Sequence, residues 1–209
     1  MSRKLLRDAA IFLAAVLVGI HMYGIFAIKV PIPEMDPANL TVHKAPGQSE
    51  AMEHPAFKKE EYVPVIPEGE NLARKGKASA SSFTQVYTAS RAIDGKVDGP
   101  SYWEAEPDSY PNTLTVDLTK ASEIHAVRLR LNPMSIWAKR TQTFSVKISD
   151  DGENFDELVA MKQYTFDPDR GNEVIIEFET VETRYVQLEF TENSGAGGGQ
   201  AAEFEIYGK

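Results

Sequence analysis

The chain has 209 residues, no cysteine and a net charge of −9. That length allows one packed domain plus an extra segment, and no disulfide can staple the fold. The acidic balance excludes nucleic acid as a partner, because no basic run is present to neutralise phosphates.

The first eight residues are short and basic, with Arg3, Lys4 and Arg7. From Ala9 to Ile28 no charge appears until Lys29. This run matches the ~20 residues that cross a hydrocarbon core, whereas a signal-peptide core is about 7–15 residues long. The run therefore predicts a transmembrane signal anchor over 9–28. Residues 1–8 form a cytoplasmic tail, and the remainder is extracytoplasmic in a single-pass protein of the cell membrane. A cleavable signal is the competing reading; Ala27 could sit at a cleavage position, but Ile25 makes the small-residue site poor.

Residues 29–70 read as an extracytoplasmic linker. Pro31, Pro33, Pro37, Pro46, Pro55, Pro64 and Pro67 fall too close together for a helix, and Glu50, Glu53 and Lys58–Glu61 keep the segment solvated.

From Asn71 the pattern changes to period two. The segments 113–118, 124–131, 144–148, 174–178 and 185–190 alternate apolar with polar residues. Turn chemistry bounds them at Asp150–Asn154, Asp167–Asn172 and Ser194–Gly199. Short half-buried strands without a helical window predict an all-β antiparallel sandwich over 71–209. Val127, Leu129, Leu131, Val146, Ile148, Val186, Leu188 and Phe190 are its expected core.

One stretch, Arg91–Trp103, concentrates unusual chemistry. Asp94, Asp98 and Ser101 offer hard oxygen donors, and Gly95 and Gly99 permit backbone angles that turn carbonyls inward. Such a set suits calcium, with Glu203 and Glu205 as a second carboxylate cluster near the end of the chain. A solvated Asp-Gly turn without metal is the plain alternative.

A sugar site needs an apolar ring for C–H faces and planar groups for hydroxyls. Trp137, Lys139 and Arg140 offer both in one loop between strands. Tyr87 and Tyr110 are secondary candidates, and Gln200 lies beside the glycine-rich loop. Trp137 could equally fold over the core edge, and Arg140 could pair with a carboxylate to hold the loop. Nothing predicts catalysis: there is no His-Glu-x-x-His and no Gly-x-Ser-x-Gly. Glu104 and Glu106 sit beside Pro107 and Asp108, where solvated acids need no catalytic role.

Six segments together carry a family resemblance: Asn71–Ser82, Ala92–Gly95 followed by Tyr102-Trp103, Pro111–Leu118, Gln142–Gly152, Arg184–Leu188 and Glu203–Gly208. In this order they resemble the discoidin, or coagulation-factor type C, domain and the related bacterial carbohydrate-binding modules. The resemblance implies a discoidin-like jelly-roll β-sandwich that binds a polysaccharide or glycan at the cell surface. It also implies a structural calcium, with Asp94 and Glu203 as carboxylate ligands, Asp98 and Ser101 giving an oxygen each, and Ala92 and Ala202 giving carbonyls. Gly99-Pro100 lengthens the loop ahead of Ser101 relative to the family pattern. Trp103 is a core residue in the family. The stretch 131–143 is most similar to modules appended to enzymes that cut α-glucans, which implies an α-glucan ligand. The alternative role is a structural or adhesion module that meets a partner protein in the cell envelope.

Overall fold

The computed structural model describes residues 3–27 and 62–209. They fall in two compact units, Met1–Lys59 and Glu60–Lys209. In the first, a helix α1 runs over Arg3–Ala27, with Arg7 and Asp8 paired at 3.3 Å on its surface. Among the described residues no helix is long and apolar enough to cross a membrane, so the anchor rests on the sequence run 9–28 alone. Most of the linker expected over 29–70 lies outside the described residues.

The second unit is built from β1 (Glu70–Asn71), β2 (Lys77–Ala80), β3 (Trp103–Glu104), β4 (Asn112–Arg130), β5 (Arg140–Ser149), β6 (Asp156–Phe166), β7 (Glu173–Asn193), β8 (Gln200–Ala201) and β9 (Glu203–Gly208). All pairings are antiparallel. The sequence pattern divides 113–131 and 174–190 into two strands each; the chain instead keeps one long strand in each place. The β4–β7 register shifts between Asp117 and Ser122, and there both strands turn from one sheet into the other. Arg184 clamps that corner, donating to both oxygens of Asp117 at 2.9 and 3.0 Å. The bidentate pair lowers the Asp117 carboxyl below its usual range.

Two layers follow. The first halves of β4 and the second half of β7 join β2, β5 and β6; the remaining halves join β9 and β1. Leu114, Val116, Phe144, Val146, Val186, Leu188 and Phe190 line one inner face, and Val127, Leu129, Leu131, Phe204 and Ile206 the other. Ile148 is half-buried against this core. Trp103 is wholly buried, 5.7 Å from Phe190 by ring centroids, and its indole N–H donates to the Ser82 carbonyl at 3.0 Å. Truncating such a side chain costs about 3–5 kcal/mol.

The unit begins before residue 71, inside the stretch assigned to the linker. β1 pairs Glu70 with Gly208, Pro67 is buried, and the Tyr62 hydroxyl donates to Glu173 at 2.9 Å. Gly171 lies against the Tyr62 ring; a Cβ there would stand 2.6 Å from the Tyr62 Cε1 atom. Its φ of 72° is also a conformation that glycine adopts at low cost. Glu173 belongs to a buried ionic cluster on the outer side of the β9 layer. Arg128 reaches Glu173 at 2.5 Å and Glu205 at 3.1 Å, Arg130 reaches the same two acids at 3.3 and 3.4 Å, and the Tyr207 hydroxyl donates to Glu205 at 2.7 Å.

Candidate functional site

The loops at one end of the sandwich assemble an aromatic platform. β3 is pleated, so with Trp103 pointing into the core its neighbours Tyr102 and Glu104 face the other way. The loop 82–88 is laid against β3 by two main-chain bonds, Thr84 N–H to the Glu104 carbonyl at 2.9 Å and Glu104 N–H to the Tyr87 carbonyl at 3.2 Å. That places the Tyr87 ring in a stack on Tyr102, with centroids 4.2 Å apart and planes 21° from parallel. Trp137 ends a short 3-10 turn, Ser135–Trp137, and meets Tyr102 edge to face at 4.8 Å and 89°. All three rings are half-buried. Burial, a hydrogen bond to Tyr87 and the charge of Glu104 push the Tyr102 hydroxyl well above the usual tyrosine range, so it stays protonated.

Arg140 fixes the Trp137 loop from behind. Its guanidinium carbon lies 5.0 Å from the Trp137 ring centroid. Nε donates to the Trp137 carbonyl at 2.9 Å and the Ala138 carbonyl at 3.3 Å, Nη2 also donates to the Trp137 carbonyl, and Nη1 donates to Gln200 Oε1 at 2.8 Å. Burial lowers the Arg140 pKa and the charge of Glu104 opposes that shift. Gly195 leaves room for this guanidinium: a Cβ there would stand 2.6 Å from Arg140 Nε, and the arginine would have to shift. Gln200 passes the contact on, its Nε2 donating to Glu104 Oε2 at 2.7 Å. Beneath lies a buried amide cluster in which Gln142 Oε1 accepts from the Gln200 N–H at 2.8 Å and from Asn193 at 3.2 Å. The relay Arg140–Gln200–Glu104 therefore ties the Trp137 loop to β3, which begins directly after Tyr102.

Four residues singled out in the sequence thus come together: Tyr87, Trp137, Arg140 and Gln200. Two of them, Arg140 and Gln200, spend their polar groups within the protein. Gln200 is only 5% exposed and supports the platform from below, because its amide is taken by Arg140 and Glu104. Arg140, expected to donate to a ligand, has each of its three nitrogens committed within the protein. Lys139 turns away to Asp167, 2.9 Å distant, and holds the Trp137 loop to the β6–β7 connection. Tyr110 stands outside the platform; its ring packs on the core, and its buried hydroxyl has no hydrogen-bond partner among the described residues. Tyr102 and Glu104 were missed as site residues. The signal that points to them is their alternation with the buried Trp103.

The acidic loop lies at the same end of β9. Ser101 donates to Asp94 Oδ2 at 2.5 Å, the Lys96 N–H to Asp94 Oδ1 at 2.9 Å, and the Gly95 N–H to Glu203 Oε1. Arg91, Asp94, Lys96, Asp98 and Ser101 share a pocket of about 460 Å³. Glu203 is 1% exposed, and burial, helped by the charges of Glu205 and Asp94, raises its carboxyl to about 7. The Gly95 N–H and Arg74 oppose that rise without cancelling it. Ala92 and Ala202 are fully buried, whereas Asp98 is exposed. Hard oxygens around a buried, under-compensated carboxylate fit a hard cation in their chemistry. Among the described residues no three His, Cys, Asp or Glu side chains are grouped for a metal, so main-chain and hydroxyl oxygens would have to complete the set.

Comparison with known families turns on residues 77–204, which match the F5/8 type C domain. The chain belongs to that family. Solved structures similar to this chain carry the same fold. Chitosan-binding module 1 from the chitosanase/glucanase of Paenibacillus sp. IK-5, in a variant form, is 25% identical with a TM-score of 0.53 over 68% of this chain and 100% of its own. CpGH89CBM32-5 from Clostridium perfringens, in complex with GalNAc-β-1,3-galactose, is 23% identical with a TM-score of 0.56 over 66% and 98%. The family 89 glycoside hydrolase of the same organism is 24% identical with a TM-score of 0.57; the match covers 68% of this chain and only 15% of the hydrolase. No curated protein matches the chain. This F5/8 type C domain thus has the fold of carbohydrate-binding modules, some of which are carried by glycoside hydrolases.

Proposed function

We propose that the chain is a non-catalytic carbohydrate-binding module, held at the cell membrane by residues 9–28, which presents Tyr87, Tyr102 and Trp137 to an extracytoplasmic polysaccharide. The observation that carries this reading is the set of three half-exposed rings in which Tyr102 touches both Tyr87 and Trp137, on loops tied by hydrogen bonds. Aromatic faces bury the C–H surface of a pyranose, and loops on a sandwich are fixed without being covered. That the fold neighbours are carbohydrate-binding modules supports the class. An α-glucan, implied by the stretch 131–143, is the first ligand to try. Retention of the full chain on insoluble glucan and on other immobilised polysaccharides tests the reading. Loss of retention in Trp137→Ala, with an unchanged melting curve, is the expected result; retention equal to wild type would refute the platform.

Calcium belongs to the same reading as a structural ion held by Asp94, Ser101, Glu203 and neighbouring carbonyls. The support is the only partly compensated burial of Glu203 beside Asp94. For the anchor, the support is the uncharged run from Ala9 to Ile28 with basic residues on its short side. Protease treatment of intact and opened membrane vesicles tests its topology: the domain is expected on the outer side only. A second reading, docking of an envelope protein on the same loops, is favoured by the exposed apolar side chains of Phe83, Val86, Met134 and Ile136 around the platform. It predicts retention by a partner protein that survives Trp137→Ala.

A further inference from the structure

We propose that Tyr62 is a positioning residue for the sugar platform: docked on the β6–β7 connection, it steadies the turn that holds the Trp137 loop. The segment through which the chain enters the domain thereby helps to set the grip on the ligand. This rests on the reading of Tyr87, Tyr102 and Trp137 as a sugar platform and adds a control point to it. Residues 62–69 precede the stretch 77–204 that matches the family. They carry the chain from one end of β9 to the other. Glu70 pairs with Gly208, whereas Tyr62 reaches Glu173, which stands level with Glu203 because both pair with Arg130. The chain therefore enters the domain at the platform end. Pro64 and Pro67 stiffen the piece between these two points.

Two contacts hold Tyr62 in place. Its hydroxyl donates to Glu173 Oε1 at 2.9 Å, the oxygen that Arg128 and Arg130 leave free, and its ring lies against Gly171. The turn Asp167–Asn172 beneath the ring grips the Trp137 loop twice. Asp167 pairs with Lys139 at 2.9 Å, an exposed ion pair of small worth. Asn172 makes the stronger tie. It is fully buried, its Nδ2 donates to the Asn132 carbonyl at 2.7 Å, and its carbonyl accepts the Leu131 N–H at 2.9 Å. Asn132 is buried as well, and its side-chain oxygen accepts the Met134 N–H at 3.0 Å. The Met134 carbonyl in turn accepts the Trp137 N–H at 2.9 Å. Asn172 sits at a φ of 55°, a left-handed conformation that its surroundings must hold. Tyr62 supplies part of that hold from the solvent side, through the neighbouring Gly171 and Glu173.

The test reads the shielding of Trp137 in the full chain, by acrylamide quenching of tryptophan fluorescence well below the melting temperature. Trp103 is wholly buried and Trp137 is the other of the two tryptophans, so quenching reports on the loop. Tyr62→Ala should raise it, because the turn loses its cover and opens locally while the sandwich stays folded. Val65→Ala removes a side chain that is 76% exposed on the same segment and should change nothing. A merely structural Tyr62 would lower the melting temperature and leave Trp137 as shielded as in the wild type. Titration calorimetry with malto-oligosaccharides should show binding about fivefold weaker in Tyr62→Ala and equal to wild type in Val65→Ala. Unchanged quenching or unchanged affinity in Tyr62→Ala, or the same change in Val65→Ala, overturns the positioning role and leaves the platform in place. Absence of binding to the wild type refutes the glucan reading instead, and quenching alone then decides the role of Tyr62.

Discussion

Two carboxylates on β9 sit two residues apart on the same face, and both are buried: Glu203 is 1% exposed and Glu205 7%. Glu205 is met by Arg128 at 3.1 Å, Arg130 at 3.4 Å and the Tyr207 hydroxyl at 2.7 Å. Glu203 instead meets the Gly95 N–H and faces Asp94, and its carboxyl rises to about 7. Burial alone therefore does not define a role. The Glu205 cluster is matched in charge within the protein, two arginines facing two glutamates, although the buried Arg130 Nε has no hydrogen-bond partner among the described residues, and it serves the packing of β4, β7 and β9. The Glu203 neighbourhood is short of positive charge, so a hard cation has something to contribute there.

The largest effect that separates the two regions should come from Arg128→Met. It leaves Glu173 and Glu205 buried without their main partner, and loss of one member of such a cluster costs about 3–5 kcal/mol. Chemical denaturation reads it; a change below about 1 kcal/mol would mean that the cluster is not structural.

Next in size is the pH response of Glu203 in the presence of chelator. Its folded pKa of about 7 lies above the ordinary value of 4.5, so the protonated acid favours the fold. That stability is complete below about 4.5 and is lost as pH rises through about 7, by on the order of 3 kcal/mol. Glu203→Gln should flatten the curve of melting temperature against pH over this window, and an unaltered slope in the variant would assign the titration elsewhere.

Calcium sharpens the same contrast. An ion that binds only the folded state at a hundredfold excess over its Kd adds about 2.7 kcal/mol. Near neutral pH the melting temperature should rise with calcium, and Asp94→Ala should abolish the response while Arg128→Met keeps it. Identical melting curves with chelator and with calcium would remove the ion from the account. The smallest effect belongs to Tyr62→Phe, which deletes one hydrogen bond to Glu173 and should cost about 0.5–1.5 kcal/mol.

The sandwich was legible because strands buried on one face must alternate, as Val127, Leu129 and Leu131 do. β6 escaped because it is an edge strand: Asp156, Glu157 and Ala160–Gln163 are exposed, and only Val159, Tyr164 and Phe166 reach the core, too few to impose a period. The corner in β4 looked like a loop between two strands because Thr119-Lys120-Ala121 is solvated, although the chain only shifts register there. At the site, residue types were readable and partners were not. A half-buried guanidinium satisfies itself on the nearest carbonyls, and for Arg140 these belong to its own loop. Tyr102 was hidden by adjacency to Trp103, since only the direction of the pleat tells which aromatic is core and which is platform.

The central claim is that Tyr87, Tyr102 and Trp137 bind sugar. Titration of the full chain with oligosaccharides while tryptophan fluorescence is followed tests it most directly, because Trp103 is buried and Trp137 is the other tryptophan of the chain. The account predicts a saturable change with a Kd in the range of about 0.1–1 mM, near −4 to −5 kcal/mol, that is absent in Trp137→Phe when binding is followed by fluorescence and weakened in Trp137→Ala when it is followed by heat. A saturable heat of binding without any change at Trp137, and equal in Trp137→Ala, would place the sugar elsewhere on the domain and contradict the account.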